Sequence, residues 1–181
     1  MWEIVVIVLL VLIAAVLILA ATRPDKLSVQ RATSISATPD KVFPFINDFN
    51  RWRLWSPYEN KDPAMKRILS GATNGKGAVY EWDGNNQVGK GRIEITDASA
   101  PSRVTIKLDM IKPMEGHNIV DFTLEPRGGG THVTWAMRGS CAYMAKVMGL
   151  FLNMDKMVGK DFEKGLAKMK AVAEAGPAVS A

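Results

Sequence analysis

The sequence predicts an α+β domain, in which a curved antiparallel sheet is covered by a long C-terminal helix and preceded by one apolar N-terminal helix. Three observations support this prediction. An uninterrupted apolar run opens the chain, segments with apolar residues at every second position fill its middle, and apolar residues at helical spacing follow them. The sheet must bury one face, and the terminal helix is the only predicted element large enough to cover it.

The apolar run extends from Ile4 to Ala21 and contains no charged residue, proline or glycine. A helix of this length measures about 27 Å, which is close to the hydrocarbon thickness of a bilayer. Trp2, just before the run, suits the membrane interface. The sequence therefore predicts a transmembrane anchor at residues 1–23 and a single folded domain at residues 24–181.

A cleaved secretory signal is the alternative interpretation of this run, since Ala20 and Ala21 resemble a cleavage site. However, no Lys or Arg precedes the run, and a signal core has only about 7 to 15 apolar residues. Basic residues follow the run closely: Arg23, Lys26 and Arg31. The positive-inside rule then predicts a single-pass membrane protein whose folded domain lies in the cytoplasm.

The composition and the distribution of charge indicate which partners and which compartment suit this chain. The chain has 23 basic and 18 acidic residues, a net charge of +5, and its charges are interspersed rather than gathered into an arm. We therefore expect no nucleic-acid partner. A mildly basic domain suits the anionic cytoplasmic leaflet of a membrane. The single cysteine, Cys141, excludes an internal disulfide and fits a reducing compartment.

The segment after the anchor predicts a strand at residues 27–35 and then two short helices. Residues 38–40, Thr-Pro-Asp, form a typical helix start, with an N-cap, a proline in the first turn and an acidic residue near the positive end of the dipole. Trp52 and Trp55 belong to the second short helix. They either pack beneath it or gate an entrance to the interior.

Period-two alternation predicts six further strands, and the clearest alternation is at residues 103–110. There Val104, Ile106, Leu108 and Met110 share one face. Turns rich in glycine and asparagine at 84–86 and 128–130 favour antiparallel hairpins. The predicted strands are 66–70, 78–82, 87–96, 103–110, 118–125 and 131–138.

A long helix is predicted after the last strand. Apolar residues recur at helical spacing from Val147 to Val172, and Gly176 with Pro177 marks its end. We expect an interruption near Asp155, close to the start of the helix.

Several short segments resemble one known family. In chain order they are Phe49-Asn50-Arg51-Trp52, Trp55-Ser56-Pro57, Tyr80-Glu81-Trp82, Gly89-Lys90-Gly91, Gly130-Thr131-His132-Val133-Thr134-Trp135 and the stretch 159–166. Their order and spacing over residues 28–175 resemble the polyketide cyclase/dehydrase-like branch of the START-related SRPBCC superfamily. The resemblance implies a helix-grip (START-like) fold with an apolar cavity under the long helix. It does not imply one activity, because this superfamily includes lipid carriers, hormone receptors and aromatase/cyclases.

The apolar faces of the predicted strands and helix supply the candidate ligand-binding residues. The set consists of Trp82, Ile106, Leu108, Phe122, Trp135, Met137, Phe151, Val158 and Phe162. Ligand pockets are mostly apolar and measure about 300 to 1,000 Å³. A filled core without a cavity requires the same residues inside, so the sequence leaves both a ligand pocket and a filled core open.

No catalytic or metal-binding residue is predicted. Glu81 and Asp121 alternate away from the apolar faces, which places both carboxylates on the solvent side of the sheet. His117 and His132 lack a partner at a metal-ligand spacing, and no cofactor motif is present. Cys141 has no neighbour in the sequence that would activate its thiol.

The leading functional hypothesis is a membrane-tethered domain that binds a hydrophobic small molecule or lipid without catalysing a reaction. The second is a polyketide cyclase- or dehydratase-type enzyme, for which a buried ionisable pair in the cavity would be the sign. The third is a membrane-associated protein-interaction domain, for which an exposed apolar patch over a filled core would be the sign.

Overall fold

The computed structural model describes residues 1–23, 26–140, 143–150 and 153–175. Besides one 3₁₀ helix at Phe49–Leu54, the elements in chain order are α1 (Trp2–Ala21), β1 (Lys26–Ile35), α2 (Pro39–Asn47), α3 (Pro57–Lys61), β2 (Lys66–Gly71), β3 (Ala78–Asp83), β4 (Lys90–Ser99), β5 (Arg103–Lys112), β6 (Gly116–Arg127), β7 (Gly130–Ser140), α4 (Tyr143–Gly149) and α5 (Met154–Glu174).

The seven strands form one antiparallel sheet in the order β1-β7-β6-β5-β4-β3-β2. The first strand pairs with the last along its whole length, from Lys26 opposite Ser140 to Ile35 opposite Thr131. This arrangement confirms the predicted fold class, an α+β helix-grip fold with a curved antiparallel sheet and a long C-terminal helix. We call the end of the sheet where β1 begins the proximal end, because α1 precedes it, and the opposite end the distal end.

Polar contacts fix the direction of α5 along β1. Arg31, in the middle of β1, bonds to the carboxylates of Asp155 and Glu163 in the first half of α5. The Ser36 amide, just past the distal end of β1, donates to Glu174 at 2.6 Å. Thus α5 begins toward the proximal end of the sheet and finishes at its distal end.

The core lies between α5 and the inner face of the sheet, and α2, the 3₁₀ helix and α3 close one side of it. Buried inner-face residues from six strands contribute to it, including Val29, Tyr80, Ile95, Ile106, Phe122 and Trp135. Trp52 and Trp55 are buried in this core as well. This burial supports the packing interpretation of the two tryptophans.

Several predicted boundaries need correction. Strand β4 begins at Lys90 rather than at residue 87, because residues 84–89 form a loop closed by a Gly84 N–H to Gly89 carbonyl bond of 3.0 Å. Gly89 has a φ of +65°, which a side chain rarely tolerates. The strand predicted at residues 27–35 likewise begins one residue earlier, at Lys26.

The predicted terminal helix is divided into α4 and α5. Its second part begins at Met154, one residue before the expected interruption at Asp155, and the Asn153 side chain caps it by accepting from the Lys156 amide at 2.8 Å. The predicted helix end at Gly176 and the interpretation of Cys141 lie outside the described residues.

Helix α1 exposes apolar side chains along nearly its whole length, with Ala20 buried. Its last turns contact α4, where the Tyr143 hydroxyl donates to the Leu17 carbonyl at 2.8 Å. Among the described residues, α1 is the one helix long and apolar enough to cross a membrane, and a signal sequence near an N-terminus has the same properties.

Candidate functional site

The centre of the inner face is a cluster of aromatic rings in mutual contact. Trp135 of β7 stacks on Phe162 of α5 with ring centroids 4.0 Å apart and planes 9° from parallel. Phe122 of β6 lies 5.0 Å from Trp135, and Trp55 meets Trp135 edge-on at 5.5 Å. These rings bring α5, the sheet and the residue following the 3₁₀ helix together at one point.

The predicted ligand-binding residues divide into two groups. Five of them are buried in the core between the sheet and α5: Ile106, Phe122, Trp135, Met137 and Phe162. Trp82, Leu108 and Val158 are partly exposed and pack against the edge of the core. Phe151 lies outside the described residues.

The partly exposed members lie toward the proximal end: Trp82 and Leu108 are in the proximal halves of β3 and β5, and Val158 is near the start of α5. Near them, Leu27 and Met110 are also partly exposed. The Trp82 ring crosses the position that a Cβ on Gly91 would occupy, so this glycine gives the ring its space. We use the name proximal groove for this set of partly exposed apolar side chains: Leu27, Trp82, Leu108, Met110 and Val158.

The indole N–H groups of Trp52, Trp55, Trp82 and Trp135 differ in whether they have a hydrogen-bond acceptor. Trp52 donates to the Ile46 carbonyl at 3.0 Å, and Trp55 donates to the Phe45 carbonyl at 2.7 Å. Trp82 donates to the Val88 carbonyl at 3.0 Å. In contrast, Nε1 of Trp135 has no hydrogen-bond partner within the described part of the chain, although this residue is only 3 % exposed. An unpaired donor in an apolar interior is costly, which makes this atom a candidate ligand contact.

A buried polar cluster lies beside the aromatic rings, and the sequence reasoning missed it. Glu59 of α3 accepts from the Tyr80 hydroxyl at 2.8 Å and pairs with Arg67 of β2 at 2.7 Å. Burial, together with the hydrogen bond to Glu59, raises the pKa of the Tyr80 phenol. Tyr80 thus stays neutral at physiological pH and is held as a hydrogen-bond donor.

Glu59 was missed because its sequence context indicates a different role. Ser56 precedes it by three residues, a spacing typical of a capping box, whose Glu is normally exposed at a helix start. The structure has no side-chain capping bond at Ser56. The Glu59 carboxylate instead turns toward the sheet, and only the pairing of β2 with β3 brings Arg67 and Tyr80 to it.

Asp121 lies on the outer face of the sheet, where the strand alternation predicted it. Asp121 accepts from Thr105 at 2.7 Å and pairs with Arg103 and Arg138. Burial opposes ionisation of Asp121, but the hydrogen bonds from these three neighbours outweigh burial and lower its pKa.

The remaining polar candidates also lie away from the interior. His117 pairs with Asp109 at 2.6 Å in an exposed position, and Glu81 is partly exposed on the same outer face. No group of His, Cys, Asp and Glu side chains among the described residues has the geometry of a metal site.

An open depression of about 430 Å³ lies between α3 and the first turns of α5. The Lys61 ammonium pairs with Asp161 there at 2.5 Å. Burial raises the pKa of nearby Tyr58, and the Asp161 charge adds to this shift. The lining is basic and polar, unlike an apolar cavity: Lys61, Asn153, Lys156, Met157, Lys160, Asp161 and Lys164.

A family model described as "Polyketide cyclase / dehydrase and lipid transport" matches residues 26–174, which include all seven strands and α5. The chain belongs to this family. The family assignment confirms the resemblance drawn from the short segments, and it supports a hydrophobic ligand-binding or cyclase-type role for the interior. No curated protein matches the sequence.

Solved structures agree on the fold. Protein SA2116 from Staphylococcus aureus has a TM-score of 0.60 at 14% identity, covering 83% of this chain and 94% of that one. Protein CV1439 from Chromobacterium violaceum has a TM-score of 0.59 at 15% identity, covering 84% and 99%. The Aha1 dimer from Colwellia psychrerythraea has a TM-score of 0.56 at 17% identity, covering 83% and 98%. At these identities the likeness concerns the fold alone.

Proposed function

We propose that this polyketide cyclase/dehydrase-family protein binds a hydrophobic small molecule or lipid in the proximal groove, while residues 1–23 hold the domain of residues 24–181 at a membrane. The observation that carries the proposal is the position of the groove. Its apolar side chains lie at the end of the sheet from which α1 departs. A ligand moving between bilayer and groove therefore crosses little water, which keeps the cost of exposing its apolar surface low.

The unpaired Nε1 of Trp135 supports a ligand of a particular chemistry. Leaving a buried N–H unsatisfied costs about 1–3 kcal/mol. A ligand oxygen that accepts from this donor recovers that cost. Trp135 lies two residues deeper along β7 than Met137, toward the centre of the sheet. We therefore expect a ligand with an extended apolar body and a carbonyl or hydroxyl oxygen near its buried end.

The proposed tether places the domain in the cytoplasm, because Arg23 and Lys26 follow α1. The contact of α1 with α4, including the Tyr143 to Leu17 bond, supports retention of α1, since cleavage after Ala21 would remove that contact. Intact mass of the protein purified from its own membranes tests retention, and resistance to alkaline carbonate extraction tests insertion. A mature chain that begins near Thr22 would contradict the tether.

A pair of neighbouring substitutions tests the groove. Leu108 and Lys107 lie side by side in β5 and face opposite sides of the sheet, so Leu108→Trp fills the groove and Lys107→Trp enlarges only the outer face. The measurement is titration of the detergent-solubilised full chain with anthroyloxy-stearate, a fluorescent fatty acid. We expect Leu108→Trp to weaken binding at least tenfold and Lys107→Trp to leave it unchanged.

Thermal unfolding of both variants controls for misfolding. Equal binding by Leu108→Trp and the unsubstituted chain, with both folded, would contradict the groove. Native mass spectrometry of the protein from its own membranes adds an independent measurement, since a co-purifying hydrophobic molecule is expected there.

Cyclase- or dehydratase-type catalysis is a second candidate function, and the buried Glu59–Tyr80 pair favours it. The single O–H of the neutral Tyr80 phenol donates to Glu59, so in this role it would leave Glu59 on substrate binding and donate to a carbonyl oxygen of the substrate instead. Under this alternative, Tyr80→Phe abolishes turnover of a bound carbonyl compound and leaves its binding within a few-fold. Under the binding function, the unsubstituted chain returns the bound molecule chemically unchanged, which mass spectrometry of the released ligand measures.

A further inference from the structure

The hairpin between β5 and β6, at the proximal end, carries exposed apolar residues that neither the core nor the groove explains. Two large apolar side chains at or beside its tip are exposed to solvent, Ile111 by 52 % and Met114 by 38 %. No large apolar residue occurs at the tips of the three hairpins at the distal end, which are residues 72–77, 100–102 and 128–129. The loop between β3 and β4, at the proximal end, is polar at its tip, with Asn85, Asn86 and Gln87 exposed.

The register of the sheet shows how far this hairpin extends. Lys26, the first residue of β1, is opposite Ser140. Through the pairings of β7 with β6 and of β6 with β5, the residue of β5 that lies level with Lys26 is Asp109. Strand β5 continues for three more residues, to Lys112, which is about 10 Å at 3.3 Å per residue. The hairpin therefore reaches past the start of β1, in the direction of the point where α1 ends.

Lysines line the same end of the sheet. Four strands carry a lysine as their terminal residue there: Lys26 in β1, Lys66 in β2, Lys90 in β4 and Lys112 in β5. They extend from one edge strand to the other, about 29 Å at roughly 4.8 Å per strand interval. The acidic groups nearby include the exposed Glu115 and three carboxylates with partners. Asp83 pairs with Lys90 at 2.8 Å, Asp62 accepts from the Asn85 backbone amide, and Asp109 pairs with Lys107 and His117.

We infer that this hairpin is a second membrane contact, with Ile111 and Met114 inserted among the headgroups of the bilayer that α1 spans and the lysine row facing anionic lipids. The inference rests on the proposed membrane tether. Apolar side chains flanked by basic ones favour the interface of an anionic bilayer. With α1 and the hairpin both held, the domain cannot rotate freely about its anchor, and the proximal groove stays turned toward the lipid.

Site-directed spin labelling of the full chain tests this contact. Single cysteines are introduced in a Cys141→Ser background, and the protein is reconstituted into vesicles of phosphatidylcholine with about one third phosphatidylserine. Met114→Cys reports on the hairpin. Ser102→Cys, at a distal tip, is the matched aqueous control, and Leu10→Cys reports on α1. The measurement is the relative accessibility of each nitroxide to oxygen and to a water-soluble nickel complex.

We expect a deep position for the label at Leu10, an interfacial position at Met114 and an aqueous position at Ser102. A deep label at Leu10 together with matching aqueous values at Met114 and Ser102 would overturn the hairpin contact and leave the tether standing. An aqueous label at Leu10 would overturn the tether and this inference with it. Without phosphatidylserine the Met114 label should become more aqueous, and an unchanged value would overturn the role given to the lysines.

Discussion

Substituting Trp135 and Trp55 by phenylalanine distinguishes an unpaired indole from a paired one. Both side chains are buried, and both take part in the same ring cluster. Trp135→Phe removes an N–H that has no partner within the described residues, and the new ring retains the stack on Phe162. Trp55→Phe removes an N–H that donates to the Phe45 carbonyl at 2.7 Å.

The expected difference follows from that one hydrogen bond. Both substitutions remove a similar apolar area, so the packing loss largely cancels in the comparison. Loss of the Trp55 bond leaves the Phe45 carbonyl unsatisfied, which costs about 1–3 kcal/mol. Trp55→Phe should therefore lower the free energy of unfolding by about 2 kcal/mol more than Trp135→Phe. For a domain of this size, that difference corresponds to roughly 4–8 °C in Tm.

Urea unfolding of the detergent-solubilised full chain, followed by circular dichroism, measures this difference. Comparable m values in the two variants are required, because a change in m indicates a change in compactness. A loss of stability at Trp135 equal to or larger than that at Trp55 would refute the reasoning. It would mean that the Trp135 N–H already has a hydrogen-bond acceptor in solution and is not free to bond to a ligand.

Two further predictions concern α5 and the outer face of the sheet. Gly165→Ala should destabilise the protein, because the new Cβ lies 2.9 Å from the stacked Trp135 ring and 3.0 Å from Pro57. Gly159→Ala should destabilise the protein less, since the new Cβ meets the guanidinium at the far end of the flexible Arg31 side chain. Thermal unfolding measures both variants, and a larger loss of stability in Gly159→Ala than in Gly165→Ala would contradict this packing. Asp121→Asn should lower the free energy of unfolding by about 1–3 kcal/mol at pH 7. The pKa of Asp121 is lowered in the folded state, so its contribution is present above about pH 4 and disappears as pH falls through the folded value. Acid titration of stability should accordingly show a smaller decline in the variant, and an unchanged decline would contradict the assignment.

The fold was predictable because alternation and turn residues are local signals. The clean alternation at residues 103–110 predicts a strand with Ile106 inside and Thr105 outside, and the sheet places both as expected. The long helix and its interruption near Asp155 were predictable from the sequence, but the residue at which the second part begins was not. Asn153, whose side chain caps the second part, has no neighbour in the sequence that distinguishes a cap from an ordinary helical residue.

The chemistry of the interior was less predictable, because it depends on contacts between distant residues. Glu59 and Tyr80 are each unremarkable in sequence, and only strand pairing and the position of α3 bring them together. Whether the Trp135 N–H has a hydrogen-bond acceptor was equally unpredictable from the sequence. Whether an indole finds an acceptor depends on every element around it, and the periodicity that places Trp135 inside the sheet contains no such information.

The pairing of β1 with β7 imposes an order on biosynthesis. The first strand to be synthesised is β1, but its hydrogen-bonding partner is the last. At about 5–20 residues per second, β1 remains unpaired with β7 for several seconds. A nascent chain arrested before β7 should thus be cut readily by protease near β1, and release of β7 should make the same site resistant.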